Sequence, residues 1–148
     1  MGTDKEIAEK GLTLVKSFET CKLEPYDDGY GYMTIGWGHL IKPGESFGSG
    51  INQERADQLL VADLAIAMST VNHAVAVDIT QNQFDALVSF AFNAGGSNFR
   101  SSTLLKKVNQ GNLKGAANEF DKWIHSAGKV SKGLIRRRAA EKALFQEI

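Results

Sequence analysis

The sequence predicts an α+β fold that is mostly helical, with a small sheet lobe, a larger helical lobe and a cleft between them. Apolar residues recur at helical spacing before residue 19 and after residue 52, which is typical of amphipathic helices. From Tyr26 to Leu40, aromatic and β-branched residues alternate with glycines, which favours short strands and tight turns. We expect the 148 residues to form one domain, with the sheet lobe at about 20–52 and the helical lobe at about 53–148 plus the N-terminal helix.

The N-terminal elements follow from local signals. Thr3-Asp4-Lys5-Glu6 has the pattern of a capping box and predicts a first helix that runs to about Glu19. Pro25 is incompatible with a continuing helix, and Asp27-Asp28-Gly29 is typical of a turn. Pro43–Gly50 is rich in glycine and predicts a loop.

The chain after Asn52 is expected to be helical to its end. One helix should open at a second capping box, Thr80-Gln81-Asn82-Gln83, and stop at Gly95-Gly96. The other predicted helices cover about Gln53–Asn72, Ser101–Asn109, Leu113–His125 and Lys132 to the end.

Charge and cysteine content exclude several classes of protein. The 17 basic and 17 acidic residues balance, whereas a nucleic-acid-binding protein usually has a basic excess. Cys21 is the only cysteine, so no internal disulfide is possible, and His73 and His125 have no metal-ligand spacing with it. We therefore expect no metal, no cofactor and no nucleic acid. We also expect no signal peptide and no membrane insertion, because no apolar stretch is long enough.

Three residues could carry glycoside hydrolysis, which needs two carboxyl groups on opposite sides of the scissile bond. Glu19 lies at the predicted end of the first helix, Asp28 in the turn that opens the sheet, and Thr34 on a strand. Each residue alone is commonplace at such a position, so these observations leave structural roles open. Asp27 is an alternative to Asp28.

A resemblance to a known family carries more weight. The segment Phe18–Gly29 and the following Met33–Leu40 closely resemble the catalytic segment of phage lysozymes of the T4 and lambdoid endolysin type (glycoside hydrolase family 24). The family pattern is a glutamate, eight residues, an aspartate, five residues, a threonine and then Ile-Gly-aromatic-Gly, and every position matches. The similarity continues through residues 83–95, 102–107 and 133–141.

The resemblance implies a lysozyme-like fold and a role for each residue. Glu19 would be the general acid, Asp28 would hold the attacking water or stabilise the oxocarbenium-like transition state, and Thr34 would orient the water. The family spacing favours Asp28, which leaves Asp27 as a solvated turn residue. T4-type members invert the anomeric carbon, which requires carboxyl groups roughly 6.5–9.5 Å apart.

Further residues match the family outside this trio. His39 and Asp63 match an ion pair that would fix the sheet lobe to the long helix, although a hydrated Asp63 is the alternative. Arg137 matches an arginine that would orient Glu19, but an Arg137–Glu141 pair that serves only the fold is equally open. The residues that match positions lining the sugar cleft are Leu40, Phe92, Asn93 and Ser102, of which Leu40 and Phe92 could instead be core. Trp123 follows an apolar stripe and is expected in the core.

The implied activity is hydrolysis of the β-1,4 bond between N-acetylmuramic acid and N-acetylglucosamine in peptidoglycan glycan strands, for host lysis. The alternatives are a lytic transglycosylase and a non-catalytic wall-binding module. The family also implies a monomer that is made in the host cytoplasm, released through a holin pore and active in the periplasm and cell wall.

Overall fold

The computed structural model describes residues 4–29 and 31–148, and the chain forms two compact units. Residues Lys16–Ala65 form the first, here called the sheet unit. The residues up to Val15 and Ile66–Ile148 form the second, the helical unit. The predicted sheet lobe of about 20–52 is therefore shorter than the sheet unit, which also contains the end of the first helix and the first half of the second.

The sheet unit contains a three-stranded antiparallel sheet. Helix α1 (Glu9–Phe18) precedes the strands β1 (Lys22–Asp27), β2 (Met33–Gly36) and β3 (His39–Leu40), and the strand order is β1-β2-β3. The sheet begins at Lys22, earlier than the predicted Tyr26. The register of β1 shifts between Lys22 and Tyr26, and Pro25 lies in this irregular stretch, where a residue without an N–H group is tolerated.

The two faces of this sheet differ. Ile35 pairs with His39, both are buried, and His39 contacts helix α2 (Gln53–Ala74), so this face packs on α2. Apolar side chains of α2 complete this part of the core, namely Ala56, Leu59, Leu60 and Leu64. The opposite face, here called the site face, carries side chains that alternate with the packed ones. Its members are Tyr26, Asp28, Tyr32, Thr34 and Leu40.

The helical unit continues with seven further elements before the last helix. They are α3 (Gln81–Ala94), α4 (Gly96–Arg100), α5 (Thr103–Asn109), α6 (Leu113–Glu119), a 3₁₀ turn (Phe120–Lys122), β4 (His125–Ser126) and β5 (Lys129–Val130), followed by α7 (Lys132–Gln146). Its core is dominated by aromatic and leucine side chains, chiefly Phe84, Leu87, Phe90, Phe99, Leu104 and Phe120. The predicted capping box at Thr80 is confirmed, since Thr80 and Gln83 bond each other's backbone N–H groups.

Three sequence predictions for the helices are wrong. Residues 4–8 are not helical, so the first helix begins at Glu9 and not directly after the predicted capping box. The helix predicted to reach His125 ends at Glu119, and a hairpin follows because Ala127 and Gly128 adopt positive φ angles of 51° and 79°. The short helix α4 replaces the gap predicted between Gly96 and Ser101.

The N-terminus of α1 is capped by a residue distant in sequence. Thr3 of the predicted capping box lies outside the described residues, and α1 begins at Glu9. The Asp85 carboxyl, fully buried on α3, accepts hydrogen bonds from the Ala8 and Gly11 N–H groups, each at 3.2 Å. Asp85 therefore serves as the missing cap, and a Cβ atom on Gly11 would approach its Cβ to 2.6 Å.

Candidate active site

Glu19 directly follows the last residue of α1. Its N–H group donates to the Lys16 carbonyl at 3.4 Å, and the side chain is half-buried. Glu19 Oε2 lies 3.6 Å from the position that a Cβ atom on Gly38 would occupy, in the turn between β2 and β3. Gly38 has a φ of 94°, so both its backbone conformation and its missing side chain suit a carboxyl group beside this turn.

Strand pairing separates Asp28 from Asp27. Asp27 lies opposite Met33, so its side chain projects away from the site face, and its Oδ1 accepts from the Gly29 and Gly31 N–H groups at 2.8 and 3.3 Å. Asp28 exchanges backbone and side-chain hydrogen bonds with Tyr32 and belongs to the site face. Both carboxyl groups therefore bond within the turn, but only Asp28 lies on the same face as Thr34.

Thr34 lies on β2 and is only 3% exposed. Its Oγ1 donates to the Tyr32 carbonyl at 3.3 Å. That bond uses the single hydroxyl proton, and the oxygen lone pairs remain able to accept a hydrogen bond. Its Cα partner on β1 is Tyr26, and directly opposed residues in an antiparallel sheet bring their side chains together.

Tyr26 was not identified from the sequence, although it lies at the centre of this arrangement. Burial raises its pKa most, and the negative charges of Glu19, Asp28 and Cys21 raise it further. The Lys22 ammonium nitrogen lies 4.5 Å from the ring centroid. The alternation of Tyr26 with Asp28 along one strand was a signal that could have pointed to it.

Two sets of hydrogen-bonded side chains, one around His39 and one around Asp57, connect the sheet to α2. His39 Nδ1 lies 2.9 Å from Asp63 Oδ2, and its Nε2 lies 3.1 Å from Glu45 Oε1. Bonds from the Lys42 N–H group and from His39 lower the pKa of Glu45. The sequence indicated Asp63 but not Glu45, whose position depends on how the 42–45 turn folds back.

The second group joins α1, the β2–β3 turn and α2 within the sheet unit. Trp37 Nε1 donates to Asp57 Oδ1 at 2.8 Å, and Lys16 Nζ lies 3.3 Å from the same oxygen. The Trp37 bond is the main cause that lowers the pKa of Asp57, with smaller effects from Gln53 and Lys16. This contact fixes the last turn of α1, to which Glu19 is attached.

The predicted sugar-contacting residues have different environments. Leu40 is 51% exposed on the site face, so the alternative of a core role for it is wrong. Phe92 is half-buried and Asn93 is exposed. Ser102 is only 7% exposed, and it caps α5 by accepting from the Leu105 N–H group while donating to the Phe99 carbonyl. Trp123 is half-buried, with its ring edge-on to Phe90 at 5.4 Å.

Helix α7 carries a buried charge cluster. Glu141 is fully buried and bonds Arg137 Nε at 3.3 Å, Ser89 Oγ at 2.6 Å and Arg138. Arg138 also bonds Asn93. The predicted Arg137–Glu141 pair is therefore present, and because Arg137 and Arg138 are buried they do not form a basic surface patch.

The described residues, 4–29 and 31–148, contain no cluster of three or more His, Cys, Asp or Glu side chains that could hold a metal ion. In the same part of the chain, no helix combines the length and the apolar character needed to cross a membrane.

Comparison with known proteins identifies the family. The family model described as phage lysozyme matches residues 16–141. The chain belongs to the phage lysozyme family. It is 41% identical to the endolysin of Salmonella phage P22 over 143 residues, which cover 95% of this chain and 97% of that protein. It is 44% identical to the endolysin of Bacillus phage B103 over 144 residues, which cover 94% of this chain but only 53% of that longer protein.

A solved structure shows the same fold. The muramidase domain of SpmX from Asticaccaulis excentricus superimposes with a TM-score of 0.87 at 40% identity, covering 97% of this chain and 99% of that one. The lysozyme-like α+β fold and the predicted assignment to the phage endolysins and muramidases, which are lysozyme-type glycoside hydrolases, are thereby confirmed.

Proposed function

We propose that this phage lysozyme cleaves the β-1,4 bond between N-acetylmuramic acid and N-acetylglucosamine in peptidoglycan by addition of water. The observation that carries this proposal is the arrangement around Tyr26. Asp28 and Thr34 share the site face with Tyr26, and the Glu19 carboxyl lies beside the β2–β3 turn of the same sheet; Glu19 and Asp28 are both among the groups that raise the pKa of Tyr26. Two carboxyl groups and a hydroxyl near one point are what glycoside hydrolysis requires.

In the proposed mechanism each residue has one task. Glu19 donates its proton to the leaving sugar oxygen as the glycosidic bond breaks, and positive charge develops on the sugar ring. Asp28 accepts a proton from the attacking water and stabilises the oxocarbenium-like transition state. Thr34 accepts the water's second hydrogen bond, because its own proton is directed to the Tyr32 carbonyl.

Other residues are proposed to support this chemistry. The hydrogen-bonded His39 and Asp63 side chains are proposed to fix β3 to α2. Leu40, Phe92 and Asn93 are proposed to contact the glycan, and Ser102 stays a prediction for that role. An orienting role of Arg137 toward Glu19 also stays a prediction. It would be contradicted if Arg137→Ala folded normally and kept the parent's turnover.

The biological role that fits this activity is host lysis. We propose that the chain acts as a monomer on the cell wall after release from the host cytoplasm through a holin pore. This route is tested by expressing the protein with and without a holin and measuring the release of cytoplasmic contents. Release should require the holin.

The enzymatic test compares four proteins on outer-membrane-permeabilised bacteria: the parent, Glu19→Gln, Asp28→Asn and Asp27→Asn. The first two variants should clear the suspension at least 100-fold more slowly, since each loses a group needed in the transition state. Asp27→Asn is the matched control, because Asn retains the oxygen that closes the turn, and it should clear like the parent. If Glu19→Gln clears as fast as the parent, wall binding or disruption is the activity. Anhydro sugars among the products, detected by mass analysis, would identify a transglycosylase instead.

A further inference from the structure

We propose that Tyr26 is a positioning residue of this active site, whose neutral hydroxyl donates its one hydrogen bond to the carboxylate that forms on Glu19 during the reaction. The inference rests on the proposed function. It assigns a task to a residue that the family pattern of glutamate, aspartate and threonine leaves out.

The strand register places the Tyr26 side chain where this task requires it. Tyr26 is the direct partner of Thr34, so the two side chains project side by side from the same face. Asp28 follows two positions later on the same face. A tyrosine side chain is longer than a threonine or aspartate side chain, so from this position its hydroxyl can reach groups beyond these two.

The environment of the hydroxyl supports the same assignment. Partial burial and the surrounding acidic groups (Glu19, Asp28 and Cys21) raise the pKa of Tyr26. The facing cation is Lys22, which lies over the ring. A tyrosine with the ordinary pKa of about 10 is already protonated at neutral pH, and a raised pKa keeps it so; the hydroxyl is therefore a hydrogen-bond donor.

A neutral donor suits a general acid. A cation beside Glu19 would favour ionisation before the reaction, whereas a neutral phenol adds no net charge and favours the carboxylate only through its hydrogen bond, which is weaker than one from a charged donor. When Glu19 transfers its proton to the leaving oxygen, it becomes a carboxylate, and a hydrogen bond from an O–H group to a charged oxygen is about twice as strong as one to a neutral oxygen. A hydrogen bond from Tyr26 to Glu19 would therefore stabilise the transition state more than the ground state.

The kinetic test is Tyr26→Phe, which keeps the ring, its packing and its contact with Lys22. We expect kcat on defined peptidoglycan fragments to fall roughly 10- to 100-fold, the equivalent of one hydrogen bond to a charged group, with little change in KM. Unchanged kcat would overturn the proposal, and so would an increase in KM alone, because that pattern indicates simple substrate binding.

A spectroscopic test checks the arrangement without using activity. The phenolate absorbance of Tyr26 is the difference between the pH titrations of the parent and of Tyr26→Phe. The same difference is then measured in proteins that also carry Glu19→Gln or Asp28→Asn. Each substitution should lower the titration midpoint, because each removes a negative charge that acts on the hydroxyl. Asp27→Asn removes the same charge from the opposite face and should shift the midpoint less. Equal shifts for Asp27→Asn and Asp28→Asn would overturn the proposal.

The two proposals fail in different ways. If Glu19→Gln is inactive and Tyr26→Phe is fully active, only the role of Tyr26 is lost. If Glu19→Gln remains fully active, the hydrolytic function fails whatever the titrations show.

Discussion

The cap on α1 allows a stability prediction that can be worked out from named contacts. Asp85→Ala removes the acceptor of the Ala8 and Gly11 N–H groups at 3.2 Å, and it also leaves the Gln81 amide without the oxygen it contacts at 2.7 Å. The Gly11 bond is buried, so its donor loses its partner without gaining water. An unsatisfied buried donor costs about 1–3 kcal/mol, and the lost negative charge at a helix N-terminus costs about 0.5–1 kcal/mol.

Together these effects predict that Asp85→Ala lowers the free energy of unfolding by about 3 kcal/mol. Asp85→Asn keeps one acceptor oxygen but loses the charge, so we expect a loss of about 1–1.5 kcal/mol. Urea denaturation of the parent and both variants measures this series, provided that the m-value is unchanged. The matched control is Asp78→Ala, because Asp78 is exposed just before α3 and should change stability by less than about 0.5 kcal/mol. A loss for Asp85→Ala no larger than that of the control would refute the capping argument.

Two further predictions concern buried or partnered carboxylates. Glu141→Gln leaves Arg137 and Arg138 without their shared buried anion and should lower the free energy of unfolding by about 3–5 kcal/mol, measured by denaturation; a loss below about 1 kcal/mol would contradict it. The hydrogen bond from Lys122, followed by that from Lys107, lowers the pKa of Glu119 in the folded chain. The ionised Glu119 therefore stabilises the fold above the unfolded-state pKa of about 4.3, and this stabilisation is lost as pH falls through the folded-state pKa. The free energy of unfolding of Glu119→Gln should therefore fall less steeply than that of the parent as the solution is acidified. If the two proteins lose stability equally at acidic pH, Glu119 does not make this contribution.

The predictable part of the structure depends on short-range signals. The capping box at Thr80 and the loop at Pro43–Gly50 are encoded within a few residues, and both are present in the structure. The hairpin at His125–Val130 was missed because an Ala-Gly pair is a weak turn signal and its strands are only two residues long. Short elements such as these depend on their surroundings more than on local propensity.

The site was only partly predictable for the same reason. Local spacing identified Glu19, Asp28 and Thr34 as candidates but could not choose between Asp27 and Asp28 without the family pattern. Strand pairing distinguishes the two aspartates, because adjacent residues project from opposite faces of the sheet and only Asp28 shares a face with Thr34. The contribution of Glu45 to the His39 contact could not be predicted, because it depends on a loop conformation that no periodic pattern specifies.

The distribution of charge in the sheet unit connects these observations with the proposed chemistry. Lys16 precedes Glu19 by three residues at the end of α1, a spacing at which the two side chains can pair on a helix. The Lys16 ammonium contacts Asp57 at 3.3 Å, and that carboxylate also accepts a hydrogen bond from Trp37. A proton donor benefits from having its nearest lysine engaged with another carboxylate, because a cation favours the ionised form. In the proposed mechanism, Asp57 and Tyr26 would have complementary effects on Glu19, since Asp57 contacts a neighbouring cation and Tyr26 would supply a donor without charge.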